Sequence, residues 1–104
     1  MSNKVKITII KKMNTRDIYG ERLPCRLAKN QGPECPLFKV GDEFVSEESA
    51  CPVGFCGWAF ADIQRDIAHL WLGGNYPWIE DHGVAISCCT DGLRPVFFKI
   101  ERME

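Results

Sequence analysis

No stretch of this chain comes near the roughly 20 consecutive apolar residues needed to cross a bilayer, so no membrane partner is expected. The opening residues, Met1-Ser2-Asn3-Lys4-Val5-Lys6-Ile7, are too polar for a signal peptide, which points to the cytoplasm, where thiols stay reduced. A basic face is also missing. Thirteen Lys and Arg stand against fourteen Asp and Glu, with a net charge of -1 and no long run of either sign. Nucleic acid, which needs such a face, is therefore not an expected partner. Histidines number only two, and no serine sits in a nucleophile-elbow setting, so a hydrolytic triad has no support. Gly73-Gly74-Asn75 lacks the lysine of a phosphate-binding loop and follows a helical pattern instead of opening one. Six cysteines in 104 residues fall below the roughly 8–10% of a disulfide scaffold.

What remains is a globular composition, 45% hydrophobic and 26% charged, in a length that suits a single domain over 1–104. Val5, Ile7 and Ile9 alternate with Lys4, Lys6 and Thr8, the period of a half-buried strand. From Asn14 to Pro36, repeated Gly and Pro break both periodicities. This predicts a long irregular connection with one short helical turn near Thr15–Tyr19. Gly41-Asp42 signals a turn, and Glu43-Phe44-Val45 resumes as a strand. Phe60, Ile63, Ile67, Leu70 and Trp71 recur at three- and four-residue spacing and predict the principal helix, from about 58 to 72, with Gly73-Gly74 as its stop. Val84–Cys89 and Val96–Glu101 alternate on either side of Thr90-Asp91-Gly92-Leu93. They read as a hairpin whose Asp-Gly pair favours positive φ. Strand, strand, helix, strand, strand is not an alternating βαβ array. It predicts an α+β fold: a mainly antiparallel sheet of about four strands with that one helix packed across it.

Cysteine carries most of the chemical interest. Cys51 and Cys56 are joined by a segment with Pro52 and Gly54 that can fold back on itself, and Cys56 falls just before the helix. The positive end of a helix dipole favours a thiolate. Cys56 is thus the candidate reactive group, with Cys51 as its candidate resolving thiol. Four intervening residues are not diagnostic of a metal knuckle. A thiolate metal site would draw on Cys35, Cys51, Cys56, Cys88 and Cys89, though not all together. Adjacent strand residues point to opposite faces, so Cys88 and Cys89 join one site only if the strand ends between them. Zinc and an iron–sulfur cluster both take thiolates, and the spacing does not choose between them. The plain alternative is that these cysteines pack as small hydrophobes. Cys25, between Pro24 and Arg26, has the least connection to any of this.

Other groups carry weaker signals. Asp62, Asp66 and His69 share the polar helix face at a spacing that suits a divalent metal, but Arg65 among them suits a solvated face with local ion pairs better. Trp58, Trp71, Tyr76 and Trp78 suit either the core or a pocket for a flat ligand. Arg94 is placed to clamp a carboxylate or to hold Asp91.

Three segments, Gly54-Phe55-Cys56-Gly57-Trp58-Ala59-Phe60-Ala61-Asp62-Ile63, Gly73-Gly74-Asn75-Tyr76-Pro77-Trp78 and Cys88-Cys89-Thr90-Asp91-Gly92-Leu93-Arg94-Pro95-Val96, resemble those of a family of small cysteine-containing proteins of anaerobic microbes. The resemblance runs from the Val-Lys-Ile-Thr strand to Glu101-Arg102. It implies one small domain and assigns no activity, cofactor or ligand residue. Two functions follow from the residues themselves. One is a thiolate site that binds a metal or handles thiol redox chemistry. The other is a non-catalytic binding module whose pocket lies between the helix, the Asn75–Trp78 loop and the irregular segment, its cysteines belonging to the core.

Overall fold

A computed structural model describes residues 4–20 and 34–103. The part of the irregular segment that holds Cys25 lies outside the described residues. The element order is β1 (Lys4–Lys12), α1 (Thr15–Tyr19), β2 (Glu43–Glu47), α2 (Gly57–Trp71), β3 (Val84–Cys88) and β4 (Val96–Arg102). The four strands make one antiparallel sheet in the order β2-β1-β4-β3, and α2 packs against β3, β4 and β1. This is the expected α+β arrangement.

Alternation decides which face is covered. Val5, Ile7 and Ile9 of β1 and Val96, Phe98 and Ile100 of β4 are buried. They meet Ala59, Ile63, Ile67 and Leu70 of the helix, which recur at the spacing that puts side chains on one helix face. At β2 the core continues as an aromatic group. The Phe38 ring lies 5.7 Å from Phe44, 5.1 Å from Phe55 and 5.7 Å from Phe98. This packing ties the segment that follows Cys35 to the sheet. The opposite face is laced with charge: Lys6 reaches Glu43 at 3.7 Å and Glu101 at 3.9 Å, and Lys4 reaches Glu47 at 3.6 Å.

The helix stops where its glycines allow. Gly73 takes φ +93°, which a side chain would oppose, and its N–H donates to Leu70 O while that of Gly74 donates to His69 O. Arg102 closes the same end, its Nη1 donating to Leu70 O at 2.9 Å and to Gly74 O at 2.7 Å. A cation there also opposes the negative end of the helix dipole.

Two details differ from expectation. The helix runs from Gly57 to Trp71, which makes Cys56 its N-cap residue. The β3–β4 connection is not a tight Asp-Gly turn, because Gly92 is not among the positive-φ glycines. Asp91 shapes the loop with its side chain instead, its Oδ1 accepting from Leu93 N at 2.9 Å and Arg94 N at 3.2 Å.

Candidate functional site

The β3–β4 connection is held from two sides, by α1 and by α2. Thr15 Oγ1 donates to Leu93 O at 2.7 Å and Tyr19 OH to Gly92 O at 2.9 Å, so α1 clamps its tip. From α2, Asp62 accepts from Thr90 N at 2.7 Å and from Thr90 Oγ1 at 3.0 Å. Trp58 Nε1 then donates to that same hydroxyl at 3.2 Å. Carboxylate, hydroxyl and indole form a short chain that pins the loop beside the start of the helix.

Beneath this loop is a cavity of about 410 Å³. Its walls come from three separate parts of the chain: Cys35 to Phe38, the start of α2 with Cys56, Trp58 and Ala59, and the stretch from Cys89 to Val96. Most of that surface is apolar. Against it stands Arg94, whose Nε and Nη1 each expose under 1 Å² and have no hydrogen-bond partner among the described residues. The backbone N–H of Arg94, and not its guanidinium, is what bonds Asp91. A cation with two buried, unsatisfied donors is unusual, since buried polar groups are nearly always paired.

The cavity divides the cysteines. Cys35, Cys56 and Cys89 line it; Cys51 and Cys88 do not. Cys51 is exposed on a shallow depression beside β2, its Sγ 3.7 Å from Pro52 O. Partial desolvation, helped by the nearby Cys56 sulfur, holds its thiol above the ordinary cysteine range. Cys88 ends the edge strand β3 and is exposed, while Cys89 lies beyond the strand and is buried. Burial pushes the Cys89 thiol up, against the hydrogen bond its sulfur accepts from Val96 N at 3.3 Å. Cys56 is half-buried, and its side chain makes no capping bond to the helix.

These positions bear on the metal reading. Among the described residues, no group of three or more His, Cys, Asp or Glu side chains is arranged to hold a metal ion. The helix-face trio is already engaged: Asp62 with Thr90, Asp66 with Tyr76 OH at 2.6 Å, and His69 Nε2 with Asn75 O at 3.3 Å. No step through zinc or an iron–sulfur cluster is therefore derived from these residues.

A second concavity of about 470 Å³ lies where the aromatic pocket is expected, against the helix and the Tyr76–Trp78 loop, though its third wall is β3 and not the irregular segment. Tyr76 and Trp78 stack at 4.8 Å, and His69 lies 4.6 Å from Tyr76. Burial, followed by the bond to Asp66, pushes the Tyr76 phenol up to about 12. Tyr76 and His69 are engaged with Asp66 and Asn75 O, and Trp78 is exposed at the rim.

Cys35 and Phe38 were the parts of the main cavity hardest to anticipate, because no local pattern links them to Cys56. The usable signal was the apolar Phe38 three positions after Cys35, which needs a hydrophobic partner and is buried. Among the described residues no helix is long and apolar enough to cross a membrane. Compared with models of protein families, with curated proteins and with solved structures, the chain has no match.

Proposed function

We propose that this protein is a binding module for a small organic anion, held in the cavity beside Arg94. The ligand places a carboxylate, or an equally flat oxyanion, on the guanidinium and lays an apolar body against Phe38, Leu93 and Val96. The observation that carries the reading is Arg94 in the wall of a largely apolar cavity large enough for a ligand, with two guanidinium nitrogens that have no partner among the described residues. Those nitrogens are sealed from the cavity as the side chain stands, so an anion meets them as the side chain turns toward it, which removes the cost of two unmet donors. Thr90, Asp62 and Trp58 fix the loop that carries Arg94, so the loop is in place before the ligand arrives.

The test compares shapes that differ only in charge. Benzoate and octanoate are expected to raise the melting temperature of the wild type, while benzyl alcohol and octanol have little effect. Arg94→Gln removes the carboxylate response. If carboxylates stabilise wild type and Arg94→Gln equally, or neither, the reading fails.

A further inference from the structure

We infer that Cys56 captures the bound ligand covalently, so that the ligand class is a disulfide of a small, carboxylate-bearing thiol. This rests on the Arg94 cavity being an anion site. Three thiols line that cavity, and they are not equivalent. Cys89 is buried, with its sulfur committed to the Val96 N–H. Cys35 belongs to the segment packed by Phe38. Cys56 alone caps a 15-residue helix, at a position usually filled by Ser, Thr, Asp or Asn because their oxygens bond the open amides. Here the side chain makes no such bond, which leaves the sulfur free to turn toward the cavity at the positive end of the helix dipole. A thiol in that position, in one cavity with the partly buried Arg94, combines a nucleophile with an anchor for its substrate.

The step is thiol–disulfide exchange. Cys56 gives up its proton, and its Sγ attacks one sulfur of R–S–S–R. The ligand's S–S bond breaks as the Cys56–S–S–R bond forms. The departing R–S⁻ takes up a proton from solvent, replacing the one Cys56 released, and no outside oxidant or reductant is needed. Arg94 holds the carboxylate of the half that stays, which keeps the reacting sulfurs together. Cys88, exposed and away from the cavity, lacks that anchor and serves as the internal control, whereas Cys51, near the Cys56 sulfur, is placed to resolve the mixed disulfide.

The experiment uses the full chain, fully reduced, and two disulfide probes: dithiobis(nitrobenzoate), which carries carboxylates, and dithiodipyridine, which carries none. Brief exposure to each, followed by acid quench and peptide mass mapping, gives a rate for each cysteine. With the anionic probe Cys56 is expected to react first, and Arg94→Gln slows it about tenfold or more, the worth of a charge-assisted bond. The neutral probe is expected to lose little at Cys56 on that substitution, and the rate at Cys88 stays unchanged. Arg94→Lys, which keeps the charge but not the fork, provides a second variant should Arg94→Gln fold poorly, and is expected to fall between the two. A Cys56 rate no faster than that of Cys88, or one indifferent to both Arg94 variants, overturns the inference. Benzoate binding to Cys56→Ala separates the two claims: binding retained while Cys56 fails to react removes the covalent step and leaves the anion site standing. Benzoate binding absent from wild type removes both.

Discussion

Replacing Arg94 by methionine is expected to make the free protein more stable. Methionine keeps the length and apolar stem of the side chain and deletes the guanidinium. Each unsatisfied buried donor costs about 1–3 kcal/mol, and Arg94 has two. The side chain as a whole is only partly buried, so solvent relieves some of that penalty and a net gain of about 1–2 kcal/mol is the appropriate figure. A chain of this length has a melting entropy near 0.2 kcal/mol per degree, which turns the gain into a rise of about 5–9 °C. The assay is reversible thermal unfolding of wild type and Arg94→Met without added anions, in a buffer free of carboxylates. Sodium benzoate is then titrated into both, and only the wild type is expected to climb. A variant that melts several degrees lower than wild type in the anion-free buffer would refute the reasoning, because the guanidinium would then be a stabilising element of the free fold.

Three further outcomes follow from geometry described above. The Tyr76 phenol, pushed to about 12, keeps its proton in the folded state where the unfolded chain begins to lose it near pH 10. That stabilising contribution is complete below pH 10 and is lost as pH rises toward 12, so Tyr76→Phe flattens the alkaline limb of a stability–pH curve from denaturant melts. Glu48 and Ser49 both hold left-handed φ, +53° and +64°, just after β2. Ser49→Gly relieves that conformation and is expected to add about 0.5–1 kcal/mol, read as a higher urea midpoint. Thr90→Val deletes the hydroxyl that links Asp62 to Trp58 and is expected to cost about 0.5–1.5 kcal/mol, with a change in Trp58 emission that a purely global loss of stability would not produce at low denaturant.

The sheet and helix were legible because each rests on a repeating pattern. Val5, Ile7 and Ile9 repeat every second residue, and Ile63, Ile67 and Leu70 every third or fourth; both sets are buried as that spacing requires. The site was legible only in part. Cys56 at the helix start and Cys89 turned inward beside an outward Cys88 follow from local rules. That Cys35 joins them and Cys51 does not depends on the packing of Phe38 among Phe44, Phe55 and Phe98, a contact set with no periodic trace. The same holds for Arg94. It was expected either to clamp a carboxylate or to hold Asp91, three positions before it, yet Asp91 Oδ1 is occupied by backbone amides. Local proximity suggested an ion pair, and an Asx-type loop took the acceptor first.

The clamp that α1 places on the β3–β4 connection has a kinetic side. Thr15 and Leu93 are 78 positions apart, and Tyr19 and Gly92 are 73 apart. Contacts so distant in sequence carry a large loop-closure entropy and are made late, whereas the β3–β4 ribbon zips through near neighbours. A chain caught partway has its ribbon before the loop over its cavity is clamped. The proposed anion affinity is therefore expected in the final stage of folding, and ligand binding in a refolding time course would serve as a clock for the arrival of the N-terminal arm.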